Sequence, residues 1–308
     1  MIQQMPMLLR RELWEHKALY VTPFVVAALI VFGFILSFFV MVFTGSSFNA
    51  AVAALELTGA PASLAGGAAL VGVPFGMLNL ALVAVIFFYS IDALYAERQD
   101  RSILFWRSLP VTDTETVISK FLTAVIAAPV VTMLVMLVTQ VILLALASIA
   151  ILLGSGNPVE LLLGPLPFVQ TWVLFGYFLL AGSLWFAPVI AWFLFCSAFA
   201  KRSVLIWVFV PWIVLIMLEG IVLRQGTILN MIGHRFSAGV PAAFTAPSGF
   251  DISQVDDNEL VELLTRGEVN VLELVAPVQF LTTPALWGGF AVAAALLAGA
   301  IYFRRFRT

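Results

Sequence analysis

Charged residues are scarce in this chain: they make up 10% of its 308 residues, whereas hydrophobic residues make up 62%. Together with a mean hydropathy of +1.09, this composition excludes a soluble globular protein and predicts a polytopic membrane protein. The single cysteine, Cys196, excludes an intrachain disulfide and a cysteine metal cluster. No Gly-Lys pair occurs, so the chain lacks a phosphate-binding P-loop and cannot be its own ATPase.

Motifs of membrane-embedded hydrolases are missing as well. The sequence contains no HExxH, paired-Glu or Gly-x-Ser-x-Gly pattern. The two histidines, His16 and His234, fall on opposite sides of the topology predicted below, so they cannot share a metal ion. We therefore expect no catalytic residue and no metal site, and we expect no nucleic-acid partner.

Six apolar runs are long enough to cross a bilayer, which takes about 20 helical residues. They predict an all-α integral membrane protein with one six-span domain over residues 1–308. The predicted spans are about 20–43, 68–91, 121–152, 169–199, 204–223 and 285–303.

Proline, glycine and polar residues inside the spans mark candidates for a transport pathway. Pro74 and Phe75 belong to a GVPFG stretch of the second span, and Pro211 lies in the fifth; such positions allow helices to bend. Gln140 either lines a polar path or forms hydrogen bonds between helices. Glu219 has two interpretations. It is an intramembrane acid that binds a substrate cation or relays protons, or it is a carboxylate at the headgroup level with no such role.

The N-terminal segment 1–19 is charged and amphipathic, which predicts an interfacial helix ahead of the first span. Arg10 and Arg11 supply positive charge, and Arg11 has Glu15 at i,i+4 spacing. Trp14 suits the headgroup level of a membrane.

The stretch 95–120 between the second and third spans holds eight of the 32 charged residues. It predicts a short helix over 95–110 with a charged start and an apolar continuation. Pro110 disfavours helical geometry at the residue before it, so this helix ends near Ser108. Thr112 and Glu115 then have capping-box spacing and begin a second helix that runs into the third span.

In these features the chain resembles the permease subunits of the ABC-2 class of ATP-driven exporters. The members of that family carry a short helix after the second span, then a Leu-Pro break and a lysine before the third span. The matching residues, in order, are Glu97-Arg98, Ile103-Leu104, Ser108-Leu109-Pro110-Val111 and Ser119-Lys120. The pair Arg101-Ser102 stands where the family usually has Gly-Thr.

The resemblance implies that segment 95–110 is a coupling helix that docks on a separate cytosolic ATP-binding subunit. ATP and Mg would bind to that subunit, in two copies, and this chain would bind no cofactor. One coupling helix per chain implies a second permease copy, as a homodimer or, alternatively, a heterodimer. The expected docking residues are Glu97, Arg98, Arg101, Ile103, Leu104, Phe105, Trp106, Arg107, Leu109 and Pro110.

Basic residues assign the sides of the membrane. Twelve of the fifteen fall on one side of the six-span topology, which by the positive-inside rule is cytoplasmic and contains both termini. The acidic segment 224–284 is then extracytoplasmic. Within it, Leu260, Leu263 and Leu264 form a helical stripe, and VNVLELVAPVQFL predicts a helix that dips into the membrane. We expect the inner (cytoplasmic) membrane as the location, with lipids as contacts.

Three functions fit these observations. The first is an ABC-2 exporter permease for a lipid, drug or peptide. The second is an ABC-like machine that acts on an extracytoplasmic partner without transporting a substrate. The third is an ATP-independent carrier, although no internal sequence repeat of the kind seen in such carriers is visible.

Overall fold

The structure, a computed structural model, describes most of the chain. The described residues are 5–44, 62–100, 111–153, 157–159, 168–224, 226–244 and 271–306. Two predicted elements lie outside them: residues 101–110 of the helix predicted over 95–110, and the leucine stripe at 260–264.

Helices form nearly all of the described chain. They are α1 (Met5–Glu15), α2 (Ala18–Thr44), α3 (Ala62–Asp92), α4 (Tyr95–Gln99), α5 (Asp113–Leu122), α6 (Ala128–Leu153), α7 (Phe168–Trp185), α8 (Ala187–Phe199), α9 (Val204–Val222), α10 (Thr227–Ser237), α11 (Gly239–Ala243), α12 (Pro277–Thr282) and α13 (Pro284–Phe306). Six helical stretches in the described part are long and apolar enough to cross a membrane. The prediction of an all-helical chain with six helices long and apolar enough to span a membrane is confirmed.

The third span begins with the predicted capping box. The Thr112 side chain accepts a hydrogen bond from the Glu115 N–H, and the Glu115 carboxylate accepts one from the Thr112 N–H. From there α5 continues into α6 through a π-helical turn, Thr123–Ala127. Pro129 follows this turn and offers no N–H to the helix, so the regular ladder is interrupted at that point in any case.

The fourth apolar run, predicted as one stretch over 169–199, is divided into two helices. The helix α7 ends at Trp185 and α8 begins at Ala187, with Pro188 in its first turn. A proline is tolerated there because the first N–H groups of a helix have no partner within it. Pro188 is the local feature that indicates this division, and the prediction of one continuous stretch did not take it into account.

The segment between the fifth and sixth spans differs from its prediction. A helical insertion was predicted here, but without the two helices α10 and α11, which follow the fifth span directly. The stretch predicted as one dipping helix is instead a 3₁₀ turn, Val271–Leu274, followed after two residues by α12. Pro277 starts α12, and an isolated β-bridge pairs Phe244 with Val275 just before it.

The centre of the bundle is α8, which packs against α13 and α3, while α2 packs against α3 and α6. By contrast, α9 lies at the periphery, and its buried side chains are Val204, Val208 and Glu219. Apolar helices with little protein contact are expected where lipid covers them.

Side chains of α8 supply hydrogen-bond donors to backbone carbonyls of α9 near the proline inside that helix. Pro211 cannot donate a hydrogen bond to the carbonyl of Trp207, four residues earlier. The Cys196 thiol of α8 donates to that carbonyl instead, with an S–O distance of 3.5 Å. The Trp192 indole, also from α8, donates to the Val208 carbonyl at 3.2 Å. The part of α9 that precedes Pro211 is thus bonded to its neighbour.

Candidate functional site

At one end of the bundle, four charged side chains are no more than 3% exposed. We call this the basic end; it contains α1, α4, the start of α5 and the last turns of α8 and α13. Their exposed fractions are 1% for Glu12, 3% for Glu97, 0% for Lys120 and 3% for Arg304. Buried charges are costly unless they are paired, so their partners define the site.

Lys120 is the centre of this ion network. Its ammonium nitrogen lies 3.0 Å from both carboxylate oxygens of Glu12 on α1 and 3.0 Å from the Oε1 atom of Glu97 on α4. One buried cation therefore joins two carboxylates from separate helices. The helix α5 supplies Lys120 from its third turn, after the capping box has fixed where the helix begins.

Arg304 extends the network to the last span. It donates from Nη1 to the Oε2 atom of Glu97 and from Nε to the Oδ1 atom of Asp113, the latter at 2.9 Å. Arg11 of α1 approaches the Oε1 atom of Glu97 at 3.6 Å and also pairs with Glu15 at 3.0 Å, as its spacing predicted. The network joins α1, α4, α5 and α13 in one cluster of opposite charges.

Tyr89 and His16 border the network on the Glu12 side. The Tyr89 hydroxyl donates to the Glu12 Oε2 atom at 3.0 Å, and the His16 ring meets the Tyr89 ring edge-on with centroids 4.9 Å apart. Burial lowers the pKa of the His16 imidazole below its ordinary value of 6.5. The Lys120 ammonium acts in the same direction, while nearby carboxylates oppose it. The surroundings of His16 therefore favour its neutral form.

A second set of contacts fixes α4 to the end of α8 through shared helix caps. The Ser197 hydroxyl of α8 accepts the N–H groups of Leu94 and Tyr95, at 3.1 and 2.9 Å, where α4 begins. In return, Arg98 of α4 donates to the carbonyls of Ser197 and Ala200, the latter at 2.9 Å. Helix ends leave such groups unpaired, so each helix satisfies the end of the other.

Together these contacts attach a very short helix to four others. Glu97 binds α4 to α1, α5 and α13 through the ion network, and Arg98 binds it to α8 through the caps. A displacement of α4 must therefore move these helix ends with it, or break buried charge pairs. The arrangement is suited to transmitting a mechanical input from one surface segment into the bundle.

The predicted docking residues divide between the described and the undescribed parts of the chain. Glu97 and Arg98 are described and both are in the contacts above. The others lie outside the described residues: Arg101, Ile103, Leu104, Phe105, Trp106, Arg107, Leu109 and Pro110. Of the predicted interfacial residues, Arg11 joins the network, whereas Arg10 and Trp14 are on the exposed face of α1.

The pathway candidates lie in two separate places. Phe75 stacks on Phe175 with ring centroids 4.0 Å apart, and it packs on the cluster that contains Met136, one helical turn before Gln140. Pro74 precedes Phe75 in the same helix. Gln140 is 2% exposed, and its amide nitrogen has no hydrogen-bond partner among the described residues. Pro211 and Glu219 are both on the peripheral helix α9.

Glu219 stabilises the start of α10 at the end of the bundle opposite the basic end. Its two carboxylate oxygens accept hydrogen bonds from the backbone N–H groups of Thr227 and Ile228, at 2.7 and 2.8 Å. A carboxylate at a helix N-terminus is favoured by the helix dipole. This geometry gives Glu219 a structural role in holding the segment after the fifth span.

Arg235 anchors the same segment to the break in the fourth run. Its guanidinium lies 4.2 Å from the Trp185 ring centroid and donates to the carbonyls of Trp185 and Ala285, the latter at 2.9 Å. The Trp185 indole donates back to the Arg235 carbonyl at 2.7 Å. Gly289 leaves room for the guanidinium, which a Cβ atom would overlap. Burial lowers the pKa of Arg235.

Sequence reasoning did not select Glu12, Lys120, Asp113 and Arg304 as a site. One signal was present: Glu12 shares the apolar face of α1 with Leu8, and a carboxylate on such a face requires a buried partner. Among the described residues, no group of three or more histidine, cysteine, aspartate or glutamate side chains is placed to hold a metal ion.

Comparisons of the chain with protein-family models, with curated proteins and with solved structures gave no match.

Proposed function

We propose that this chain is the permease subunit of an ATP-driven exporter of the ABC-2 type. It would form the pathway for a hydrophobic or amphipathic substrate, such as a lipid, drug or peptide. The observation that carries the proposal is the attachment of α4, the described start of the predicted coupling helix, to four helices through Glu97 and Arg98. An exporter of this kind needs such a point, where closure of an ATPase is converted into helix movement.

Buried charge pairs suit this transmission because they are costly to break. Separating one partner from a buried pair costs about 3–5 kcal/mol. Glu97 contacts Lys120 and Arg304 at hydrogen-bonding distance. A displacement of α4 should therefore move α1, α5 and α13 with it, because this requires less free energy than separating these charge pairs. The Arg98 contacts carry the same displacement to α8.

The remaining parts of the proposal follow from the resemblance and the charges. ATP and Mg would bind to a separate cytosolic subunit present in two copies, and two copies of this chain would form the membrane part. A heterodimer with a related permease is the rival arrangement. The basic end would face the cytoplasm and both termini would lie there, in the inner membrane.

The orientation can be tested by cysteine labelling in intact cells. With Cys196 replaced by serine, a cysteine at Asn258 should react with a membrane-impermeant thiol reagent, and a cysteine at Asp100 should not. Labelling of the cysteine at Asp100 alone, or of both introduced cysteines, would contradict the proposed orientation in the membrane.

The function itself is tested by isolating the ATPase and then uncoupling it. The chain should co-purify with an ATP-binding protein, and mass measurement should give two copies of each. Trp106→Ala should weaken this association, since truncating an aromatic interface anchor can cost about 2 kcal/mol or more. Arg98→Ala should retain the ATPase yet lose substrate-stimulated ATP hydrolysis. Arg202→Ala, in an exposed neighbouring position, is the matched control and should behave as wild type.

Two results would contradict this proposal. Purification without any ATP-binding protein would favour an ATP-independent carrier. Full substrate-stimulated hydrolysis in Arg98→Ala would show that the contacts with α8 do not transmit the input.

A second candidate is an ABC-like machine that acts on an extracytoplasmic partner. The anchoring of α10 and α11 through Glu219 and Arg235 favours it, because helix movements would then displace this segment directly. In that case, ATP hydrolysis by the reconstituted complex would not respond to lipophilic or peptide compounds. A clear response to such a compound would favour the exporter.

A further inference from the structure

The helix α1 has two faces of different character. One face carries Leu8 and Glu12, 7% and 1% exposed, and packs on α5 and the π turn. The other carries Met7 and Trp14, which are 70% and 65% exposed, with the exposed Arg10 between them. Positions 7, 10 and 14 follow helical spacing, so these three side chains share one side of the helix.

The exposed face and the turn that follows it carry cations and no carboxylate. The Arg10 guanidinium lies 4.6 Å from the Trp14 ring centroid. The exposed Lys17 lies in the turn between α1 and α2. The nearest acid along the chain, Glu15, is paired with Arg11 at 3.0 Å. The pattern of apolar side chains beside two cations is typical of a helix that lies in a lipid interface.

The position of α1 fixes which surface this face meets. The first apolar span begins at Ala18, three residues after α1 ends at Glu15. Because the span enters the membrane there, α1 lies at the level of the lipid headgroups. A tryptophan side chain is favoured at that level, where its apolar body and polar N–H are both accommodated.

We propose that the face of α1 formed by Met7, Arg10 and Trp14, together with Lys17 in the turn that follows, binds anionic phospholipid headgroups in preference to zwitterionic ones. Positive charge meets a negatively charged headgroup layer, while the apolar side chains enter the acyl boundary. The opposite face of the same helix carries Glu12 into the ion network, 3.0 Å from Lys120. Arg10 and Trp14 of the lipid contact and Glu12 of the buried network are therefore on one helix.

The proposal is tested by lipid quenching of Trp14 fluorescence. The full chain is reconstituted in vesicles of phosphatidylcholine and phosphatidylglycerol, with one or the other lipid brominated. The signal of Trp14 is obtained as the difference from Trp14→Phe. Each basic residue near an anionic surface contributes about 1 kcal/mol of binding free energy, which corresponds to a preference of roughly fivefold. Quenching by brominated phosphatidylglycerol should therefore exceed quenching by brominated phosphatidylcholine by at least about this factor.

Matched variants identify the residues responsible. In Arg10→Gln/Lys17→Gln the preference should fall to about unity, since the anionic attraction is removed. In Lys201→Gln/Arg202→Gln, which removes two exposed cations from the connection between α8 and α9, it should persist. Neither pair belongs to the ion network, and unchanged thermal midpoints would show that both variants fold.

Three outcomes would overturn the proposal. Equal quenching by both lipids in the wild type would exclude headgroup selectivity. A preference that survives Arg10→Gln/Lys17→Gln would assign it to other residues. Absence of Trp14 quenching by either lipid would show that this face is covered by protein, such as a second copy of the chain.

Discussion

Replacing Lys120 with methionine removes the cation at the centre of the ion network while nearly preserving side-chain volume. Lys120 is 0% exposed, and its nitrogen lies 3.0 Å from oxygens of Glu12 and Glu97. After the change, Glu97 retains the cation of Arg304. Glu12 retains the neutral Tyr89 hydroxyl and the His16 imidazole, whose Nε2 atom lies 3.8 Å from the Glu12 Oε2 atom. The unbalanced buried charge is therefore concentrated on Glu12.

The expected loss of stability follows from this geometry. Leaving one partner of a buried ion pair uncompensated costs about 3–5 kcal/mol. Adding Glu12→Gln to Lys120→Met removes the stranded charge, and the amide oxygen can still accept from Tyr89. The double variant should therefore be more stable than the sum of the single effects predicts, by about 2 kcal/mol.

Reversible unfolding in mixed micelles measures these differences. Tryptophan fluorescence is followed as sodium dodecyl sulfate is titrated, for the wild type, both single variants and the double variant. The control is Lys201→Met, an exposed position where the change in free energy should stay within about 0.5 kcal/mol. A cost for Lys120→Met no larger than that of the control would refute the reasoning. So would strict additivity in the cycle.

Two further predictions concern the opposite end of the bundle and the pH. Gly289→Ala should lower the free energy of unfolding by about 1–3 kcal/mol, because the added Cβ atom overlaps the Arg235 guanidinium. Gly288→Ala is the control: its Cβ atom meets open space, so it should be neutral or slightly stabilising. Thermal midpoints in detergent measure both variants, and equal effects would contradict the predicted overlap. The lowered pKa of His16 means that the unfolded chain binds the proton more readily, so stability should fall as the pH drops below about 6.5. His16→Gln should flatten this dependence of the thermal midpoint between pH 7.5 and 5.5, and an unchanged slope would exclude His16 as its source.

Local features of the sequence were predicted well because their causes are local. The six apolar spans depend on runs of neighbouring residues, and the capping box depends on Thr112 and Glu115 alone. The pair of Arg11 with Glu15 needed one helical turn. In each case, the interacting groups lie within a few positions of one another along the chain.

The ion network could not be predicted in the same way. Glu12 and Lys120 are 108 positions apart, and Glu97 and Arg304 are 207 apart. Their pairing depends on how the helices pack, which charge counts along the sequence do not encode. Arg235 is the same case, because its partner Trp185 lies in another helix, 50 positions away.

The bond between the Cys196 thiol and the Trp207 carbonyl has a consequence for the peripheral helix α9. The turn of α9 before Pro211 is bonded to donors on α8, so a change of helix geometry there requires rearrangement of those donors. Movement of α8 is then transmitted to the first turns of α9 through side-chain contacts, in addition to the short Lys201-Arg202 connection. A replacement at Cys196 that lacks a donor would loosen this linkage while the chain connection between the two helices stayed intact.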